Sequence, residues 1–442
     1  MNYTIYPRPL SGVVNAPSSK SIMHRVLICA SFSEGNTVIE NPLYCYDTII
    51  TMNALESIGV TFKKDNERLT IIPPKSYKLS KDTIECGNSG STARFLMPLF
   101  TKLFNCVVFK GDKRLIERLD TEDLTEIPFE FLFHDEAITL SNINNVNNIT
   151  IHNKNTSQLI SGVLLLIAIV HQKGTIHLIC DDNILDPYIE LTLDVLSNFG
   201  IKYEIINQDN LFTIKINKHL NKIYDIFESS SLKSCHYYIE GDYSSAANML
   251  ALGVLGENIV VKNLYQTSKQ GDKEFINILK GMNAEFQIGI DAIRAMNSQL
   301  IGTEIDLSHT PDLGPLLMGL ATVAYGTTTI KNFKRLELKE SNRISKTIEI
   351  LTSLGADIQI HDNEIKINGK QNLQGGVVID PCNDHRLLMM VVALSSKYLE
   401  RVTILNIECV NKSYPNFWDD YRKLKGVALI STPDESMGKN HD

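Results

Sequence analysis

The chain repeats one local pattern six times, and this repetition restricts its possible folds more than any other feature. Each copy has a short polar cluster followed by an apolar stretch rich in small residues, as in TSQLISGVLLLIAIV. The copies are 70, 67, 87, 68 and 72 residues apart and begin at Ser19, Ser89, Thr156, Tyr243, Pro311 and Asn383. Common solenoid repeats have roughly 20–50 residues, so we expect six larger structural units.

The apolar stretches predict helices that are buried on every side, because they are apolar nearly all round. Five are followed by a turn and a run of Val, Ile and Thr that favours a strand, as in EGNTVIEN. A second helix then ends where a left-handed C-cap is expected, at Gly59, Gly200, Asn283 and Gly355. Buried helices need walls around them, so we predict an α/β fold with helices packed inside sheets, grouped three and three.

The largest spacing lies between the third and fourth copies, and it contains the polar stretch NKHLNKIYDIFESSSLKSCHYY from Asn217. We expect this stretch to be where the chain passes from one domain to the other. The opening strand, TIYPRPLSGVVNAP, precedes the first copy and fits either domain.

Composition excludes several classes of protein. Hydrophobic residues make up 43% and charged residues 21% of the 442 residues, an ordinary globular balance. The net charge of −8 argues against a general nucleic-acid binder. The longest apolar run, Leu159–Val170, is shorter than the ~20 residues that cross a membrane, and no export signal is recognisable. Eight cysteines without a C-x-x-C pair suit a reducing cytoplasm.

The polar clusters carry an unusual concentration of basic residues for an acidic chain. They stand at predicted helix N-termini, where unpaired N–H groups and the helix dipole attract anions. Together they indicate a small substrate with several phosphate or carboxylate groups. The basic residues are Lys20, Arg25, Arg94, Lys113, Arg114, Arg118, Lys339, Arg343 and Arg386. ATP- or NAD-dependent chemistry is disfavoured, since the chain has neither G-x-x-x-x-G-K-[ST] nor G-x-G-x-x-G.

Each of these residues also has a structural interpretation. We interpret Asp47 as a helix cap only, and His24 and His385 as hydrogen-bonded structural residues. The Lys339–Glu340–Arg343 group could be an exposed charged helix face, although its place directly after a strand favours a site. Helix N-caps are as reasonable as ligand contacts for Ser19, Ser89, Ser157 and Ser244.

Nine motifs resemble, in order and spacing, those of the 5-enolpyruvylshikimate-3-phosphate synthase family, from about residue 5 to 428. They are SKSIMHR at Ser19, CGNSGSTAR at Cys86, GDKRLIER at Gly111, TSQLISG at Thr156, EGDYSSA at Glu240, PDL at Pro311, LKESNRI at Leu338, NDHR at Asn383 and NKSYP at Asn411.

The resemblance implies a two-domain inside-out α/β barrel of six βαβαββ repeats, three in each domain, around parallel buried helices. One domain would be residues 20–240, and the other would combine residues 1–19 with 241–430. Residues 431–442 would be a disordered tail. A monomer in the cytoplasm is suggested, with no nucleic-acid or membrane partner.

The implied reaction transfers the enolpyruvyl group of phosphoenolpyruvate to the 5-hydroxyl of shikimate 3-phosphate and releases phosphate, in the shikimate pathway to chorismate. It proceeds by addition and elimination through a tetrahedral intermediate, with acid–base groups and cations and without a metal or organic cofactor. Glyphosate would compete with phosphoenolpyruvate, because Gly90 leaves space beside the pocket for that substrate.

The resemblance also implies roles for individual residues. The catalytic residues would be Asp312, Glu340 and Lys20. Phosphoenolpyruvate would be bound by Lys20, Asn88, Gly90, Arg118, Gln158, Arg343, Arg386 and Lys412. Shikimate 3-phosphate would be bound by Lys20, Ser21, Arg25, Thr156, Ser157, Gln158, Tyr188, Asp312 and Lys339.

One departure from the family pattern is Arg335, which stands where the family often has Asn and either adds a contact or points outward. The closest alternative function is enolpyruvyl transfer to UDP-N-acetylglucosamine. That family has K-N where this chain has Lys20–Ser21, and it usually has a cysteine in the loop near Arg114, where this chain has GDKRLIER without a cysteine. A non-catalytic anion-binding protein is a further alternative, disfavoured because Asp312, Glu340 and Lys20 are intact. RNA 3′-phosphate cyclase-like enzymes are disfavoured by the acidic balance.

Overall fold

The computed structural model describes residues 1–65, 67–119, 124–144, 146–152, 157–171, 173–180, 183–217 and 232–431. They form two compact units, each with its own apolar core. The continuous unit is Ser18–Ile239, and the discontinuous unit combines Met1–Pro17 with the chain from Glu240 onward. Apart from Ser431, the predicted tail lies outside the described residues, as does 218–231 of the predicted domain change.

The elements of the continuous unit follow two strands that belong to the other unit, β1 (Tyr3–Tyr6) and β2 (Gly12–Asn15). Its helices are α1 (Lys20–Ser31), α2 (Tyr46–Glu56), α3 (Gly90–Phe104), α4 (Lys113–Arg118), α5 (Ser157–Leu166) and α6 (Pro187–Asn198). Its strands are β3 (Thr37–Glu40), β4 (Thr61–Asp65), β5 (Arg68–Ile72), β6 (Thr83–Gly87), β7 (Cys106–Gly111), β8 (Glu130–His134), β9 (Ala137–Ser141), β10 (Asn148–His152), β11 (Lys173–Ile179), β12 (Lys202–Gln208), β13 (Leu211–Asn217) and β14 (His236–Tyr238).

The discontinuous unit continues with six more helices and ten more strands among the described residues. The helices are α7 (Tyr243–Leu255), α8 (Phe275–Gly281), α9 (Gly314–Ala321), α10 (Arg343–Ser353), α11 (His385–Ala393) and α12 (Phe417–Lys423). The strands are β15 (Ile259–Lys262), β16 (Glu285–Ile288), β17 (Ala292–Met296), β18 (Glu304–Asp306), β19 (Thr327–Lys331), β20 (Asp357–Ile360), β21 (Glu364–Asn368), β22 (Val378–Ile379), β23 (Val402–Ile404) and β24 (Val427–Ile430).

The described strands form six four-stranded sheets, three in each unit, and all six have the same pattern of one parallel pair followed by two antiparallel pairs. In the sheet β6-β7-β9-β8, β6 and β7 are parallel and are connected through α3, and the remaining pairs are antiparallel. Read along the chain, this is strand–helix–strand–helix–strand–strand. The six βαβαββ repeats predicted from the sequence are therefore confirmed.

Three sheets take one strand from a distant part of the chain. Strand β14, at the end of the continuous unit, pairs in parallel with β3 near its start. Strand β2 pairs with β15, and β1 lies between β23 and β24. The opening strands therefore belong to the discontinuous unit, which decides a question that the sequence left open.

The six apolar stretches are buried helices, as predicted: α1, α3 and α5 in the continuous unit, and α7, α9 and α11 in the discontinuous one. Every residue of α7 is buried, for example. The second helices end as expected too, since Gly59, Gly200, Gly355 and Asn283 have φ values of 98°, 85°, 94° and 71°. Among the described residues, no helix has the length and apolar character needed to cross a membrane.

Glycine allows two of the buried helices to approach closely. A Cβ atom at Gly162 of α5 would lie 2.3 Å from the backbone oxygen of Arg94 and 3.2 Å from the Cα of Phe95, both on α3. Real atoms do not approach this closely, and backbone cannot move aside as a flexible side chain can. The absence of a side chain at Gly162 therefore sets the spacing of these helices.

We expect Gly162→Ala to lower the free energy of unfolding, at or above the upper end of the about 1–3 kcal/mol typical of an overpacked core. Urea denaturation followed by circular dichroism measures this loss. Gly281→Ala is the control, because a Cβ atom at Gly281 meets nothing within 4 Å, and we expect a change within about 1 kcal/mol. Equal stability of the two variants would contradict this account of the packing.

Candidate active site

Within each unit, the N-terminal turns of the buried helices lie together. In the continuous unit, Arg94 of α3 donates to Gln158 Oε1 of α5 at 3.4 Å, and Arg25 of α1 donates to Ser161 Oγ of α5 at 3.3 Å. In the discontinuous unit, Arg386 Nη2 of α11 is 3.7 Å from Oδ2 of Asp312, in the 3-10 turn that leads into α9. The polar clusters read from the sequence are thus assembled into one group in each unit.

Lys20, at the start of α1, is held by a carboxylate. Its Nζ atom donates to Asp47 Oδ2 at 2.9 Å, and the two side chains are 14% and 3% exposed. The prediction that Asp47 serves only as a helix cap is wrong. The N-cap of α2 is Cys45, and Asp47 lies in the first turn of that helix.

Arg25 is a buried cation whose hydrogen bonds go to neutral oxygens. It donates to Thr192 Oγ1 at 2.7 Å, to the backbone oxygens of Ser21 and Tyr188 at 2.8 and 3.0 Å, and to Ser161. Burial lowers the pKa of its guanidinium to about 10, because removal from water disfavours the charged form. An anion placed beside it would offset this cost.

Two more guanidinium groups converge on Gly90, the first residue of α3. A Cβ atom built there would lie 2.9 Å from Arg94 Nη1, 3.1 Å from Arg118 Nη2 and 3.4 Å from Gln158 Oε1. Arg94 also donates to the backbone oxygen of Arg118 at 2.5 Å. Two like charges at a helix N-terminus, beside a residue without a side chain, make a site suited to a phosphate or carboxylate group.

Arg343 is the centre of the cluster in the discontinuous unit, and it is only 1% exposed. Its Nε atom donates to Asp384 Oδ2 at 2.8 Å, its Nη1 to Asp312 Oδ1 at 2.9 Å and its Nη2 to Glu340 Oε2 at 2.6 Å. Burial alone would lower the pKa of Arg343, but the carboxylates of Asp384, Glu340 and Asp312 raise it overall. The alternative of an exposed charged helix face is therefore wrong, and α10 begins only at Arg343.

Asp312 lies among three cations. Burial raises the pKa of its carboxyl, but Lys339, Arg343 and Arg386 outweigh burial and hold the pKa well below its ordinary value of 3.8. Lys339 Nζ is 3.0 Å from Asp312 Oδ1, and burial lowers the pKa of this ammonium group. Asp312 is therefore ionised at neutral pH, and a quarter of its side chain remains exposed to a ligand.

Arg386 lies in the first turn of α11, close to the N-cap Asp384, whose Oδ1 accepts the backbone N–H of Arg386 at 2.9 Å. Its side chain is 7% exposed. Within the described part of the chain, its Nε and Nη1 atoms are buried without a hydrogen-bond partner. Lys412 is also buried, at the end of the 3-10 helix Ile407–Lys412, which packs against α11.

The remaining predicted residues also fall on these helix ends. Asn88 precedes α3, while Ser21, Ser157 and Tyr188 lie in the first turns of α1, α5 and α6. Thr156 lies outside the described residues. Of the serines, Ser19 and Ser89 are N-caps, accepting from Ile22 N and Thr92 N, whereas α7 is capped by Asp242 and not by Ser244.

Two open questions are answered by contacts. His24 is 1% exposed and its Nδ1 atom is 2.8 Å from Thr51 Oγ1, in agreement with a structural role. Arg335 donates to the backbone oxygen of Ser308 at 2.9 Å and lies near enough to Lys339 to help lower the pKa of that residue. No group of three or more His, Cys, Asp or Glu side chains in the described ranges is arranged to hold a metal ion.

The sequence did not indicate Asp47 or Asp384 as members of the site. Both are carboxylates in the first turn or at the cap of a helix, where Asp is common for reasons of helix stability alone. Their pairing with Lys20 and Arg343 depends on contacts between residues 27 and 41 positions apart. A buried basic residue in an apolar helix was the one available signal, since it requires a partner.

Basic side chains at the N-termini of buried helices, with carboxylates beside them, are typical of enzymes that act on small anionic substrates. The chain matches the family EPSP synthase (3-phosphoshikimate 1-carboxyvinyltransferase) over residues 6–421. It therefore belongs to the EPSP synthase family.

Individual relatives agree with this assignment. The chain is 35% identical to the 3-phosphoshikimate 1-carboxyvinyltransferase of Clostridium novyi, covering 99% of this chain and 100% of that protein. It is 33% identical to the enzyme of the same name from Clostridioides difficile, covering 96% and 97%. An EPSP synthase structure from Acinetobacter baumannii has a TM-score of 0.75 at 22% identity, covering 97% of this chain and 100% of that one, and shows the same fold.

We expect Arg343→Met to lower the free energy of unfolding by about 3–5 kcal/mol at pH 7, because it leaves carboxylates buried without their partner. Lys346→Met on the same helix is the control. Its ion pair with Glu349 lies at the surface, where a loss of about 0–1 kcal/mol is expected. Urea denaturation measures both.

The sign of the pH dependence follows from Asp312. Its depressed pKa stabilises the fold above the ordinary value of 3.8, and that contribution is lost as the pH falls below it. The difference in the free energy of unfolding between Arg343→Met and the unchanged protein should therefore become smaller below about pH 4. An equal loss of unfolding free energy in Arg343→Met and Lys346→Met at pH 7 would contradict the central role of Arg343.

Proposed function

We propose that the chain transfers the enolpyruvyl group of phosphoenolpyruvate to the 5-hydroxyl of shikimate 3-phosphate, releasing phosphate. The observation that carries the proposal is the buried Arg343, which holds the carboxylates of Asp312 and Glu340 on its two terminal nitrogens. A guanidinium group with a carboxylate on each side can bind an anion while protons move nearby.

The reaction begins with addition. A proton reaches the methylene carbon of phosphoenolpyruvate, C2 becomes electrophilic, and the acceptor hydroxyl oxygen bonds to C2 as it loses its proton. Elimination then removes a proton from the new methyl group and breaks the bond between C2 and the phosphate oxygen. Phosphate leaves with the electron pair, and the acceptor carries the enolpyruvyl ether.

Asp312 is the group we assign to the hydroxyl proton. Its low pKa keeps it ionised at neutral pH, so it is available as an acceptor, and its exposed quarter leaves room for a ligand. Glu340, 16% exposed, exchanges the methylene proton with the help of Lys20. Phosphate binding by Arg118, Arg343, Arg386 and Lys412 stabilises the charge of the leaving group.

The residues of the continuous unit supply the other substrate contacts in this proposal. Arg25, Ser21, Ser157, Gln158 and Tyr188 would bind shikimate 3-phosphate, together with Lys339 of the discontinuous unit and Thr156. Asn88, Gly90 and Gln158 would contact phosphoenolpyruvate. The buried Arg25, with neutral hydrogen-bond partners, fits an acceptor that carries a phosphate and a carboxylate.

The proposal includes a monomer in the cytoplasm that binds neither nucleic acid nor membrane. All eight cysteines are free, and five of them are buried, which suits a reducing compartment.

Release of inorganic phosphate tests the reaction directly. We expect phosphate from phosphoenolpyruvate plus shikimate 3-phosphate, and none above background with UDP-N-acetylglucosamine as the acceptor, since Lys20–Ser21 and GDKRLIER lack that family's pattern. In the same assay, glyphosate should inhibit competitively with phosphoenolpyruvate. Turnover of the UDP-sugar alone would establish the alternative, and full activity at millimolar glyphosate would contradict the predicted inhibition.

We expect Glu340→Ala to lower kcat by roughly 10²–10⁴-fold, because it removes a proton-transfer group, with a much smaller effect on the dissociation constant of shikimate 3-phosphate. Steady-state kinetics and a binding titration separate the two effects. The control is Glu349→Ala, because Glu349 lies on α10 and its side chain is 66% exposed. Its kcat should be near that of the unchanged protein. Near-normal kcat in Glu340→Ala would remove Glu340 from the mechanism.

A further inference from the structure

The discontinuous unit contains a buried carboxylate that the mechanism above does not use. Asp272 lies in a 3-10 turn, Gly271–Glu274, which leads into α8, and it is 1% exposed. The segment before it is fixed to the start of α7. Gln270 donates to the backbone oxygen of Gly241 at 2.8 Å and to Glu240 Oε1 at 2.7 Å, and accepts from Tyr243 N at 3.1 Å. The hydrogen bonds of the Gln270 side chain therefore hold the segment before Asp272 against the start of α7.

The hydrogen bonding of Asp272 is incomplete. Its Oδ2 atom accepts from Ser244 Oγ, in the first turn of α7. Its Oδ1 atom is buried and, within the described chain, has no hydrogen-bond partner. A buried carboxylate with one donor is poorly compensated for its loss of water, so its charged form is disfavoured.

Helix α7 packs against the turn that holds Asp272, against the turn that holds Asp312 and against α11, which holds Arg386. Charges from these elements therefore face Asp272. Asp242 comes from the start of α7, Asp312 from the turn before α9, and Arg386 from α11. The carboxylates of Asp312, Asp242 and Asp272 in turn act on Arg386, and its Nε and Nη1 atoms are buried without hydrogen-bond partners among the described residues. Around this cluster, five carboxylates (Asp242, Asp272, Asp312, Glu340 and Asp384) meet three cations (Lys339, Arg343 and Arg386). An anion that binds Arg386 adds negative charge beside these carboxylates.

We propose that Asp272 is a positioning residue for Arg386 that takes up a proton when a phosphate group binds to that guanidinium. In the ionised form it attracts Arg386 while no anion is bound. In the protonated form it no longer repels the anion, and it still accepts the hydrogen bond from Ser244. The inference rests on the proposed function, because it takes Arg386 as a ligand of the substrate phosphate.

The pKa of Asp272 fits this role. Burial raises it first, Asp312 raises it further, and Arg386 and Ser244 lower it, so that it lies at about 6 instead of 3.8. An anion on Arg386 acts in the same direction as Asp312 and raises the pKa again. At neutral pH the carboxyl is then mostly ionised without the anion and takes up a proton with it, so the affinity for the anion should fall as the pH rises above about 6.

The test compares Asp272→Asn, which imitates the protonated form, with the unchanged protein between pH 5.5 and pH 8. We expect the two to have similar KM for phosphoenolpyruvate at pH 5.5. As the pH rises, the KM of the unchanged protein should increase relative to that of Asp272→Asn by up to about tenfold per pH unit, the limit for one proton. The kcat values of the two proteins should stay within about twofold of each other. Titration of the substrate itself affects both proteins equally and cancels in the ratio of their KM values.

Two further variants separate this role from a structural one. Ser244→Ala removes a donor that lowers the pKa of Asp272, so it should move the pH dependence of KM to higher pH. Asp291 is an exposed carboxylate in the turn between β16 and β17. Asp291→Asn should therefore have the same pH dependence of KM as the unchanged protein. A constant ratio of KM values at every pH, or a loss of kcat in Asp272→Asn without a change of pH profile, would overturn the proposal.

Proton uptake can also be measured without turnover. Calorimetric titration with inorganic phosphate, in two buffers of different ionisation enthalpy, counts the protons taken up on binding. The unchanged protein should take up more protons than Asp272→Asn at pH 7. If this difference is present while no transferase activity is found, the proposed function fails and the inference about Asp272 stands. If activity is present and the difference is absent, the inference fails and the function stands.

Discussion

The chemistry of the discontinuous unit depends on the burial of one guanidinium group. Arg343 is almost completely removed from water, and a charge in that position is stable only when carboxylates pair with it. Those carboxylates come from separate elements: Asp312 from the turn before α9, Asp384 from the cap of α11 and Glu340 from the segment before α10. Arg343 therefore joins three parts of the unit, and it helps to keep Asp312 ionised.

The continuous unit has the same topology and a different distribution of charge. Its helix ends hold Arg25, Arg94 and Arg118, and the hydrogen bonds of Arg25 go to hydroxyl and carbonyl oxygens. The charge of Arg25 is therefore compensated by the dipoles of neutral groups, without a direct hydrogen bond to a carboxylate of the described residues. In the discontinuous unit, Arg343 is instead paired directly with the carboxylates of Asp312, Glu340 and Asp384. One repeated fold thus carries two kinds of site, and the side chains at the helix ends determine which.

Much of this architecture could be predicted because its causes are local. An apolar stretch must be buried, a Gly or Asn after a helix permits a left-handed cap, and a run of β-branched residues favours a strand. These rules found the six repeats and the caps at Gly59, Gly200, Gly355 and Asn283. They gave the wrong role for Asp47 and left the role of Ser244 open, because capping and ligand contact use the same residue types at the same helix positions. Only the partners of these side chains, Lys20 and Asp272, distinguish the two roles.

The sequence by itself therefore determined the number of repeats, the buried helices and the basic residues at their N-termini, since each follows from neighbouring residues along the chain. The tertiary structure decided which strands complete the sheets, as with β1, β2 and β14, and which carboxylate meets which cation. Those outcomes depend on contacts between residues far apart in the chain, where burial removes water and makes each ionic partner matter. The pKa of Asp312, held low by Lys339 and Arg343 from one segment and Arg386 from another, is set at this level.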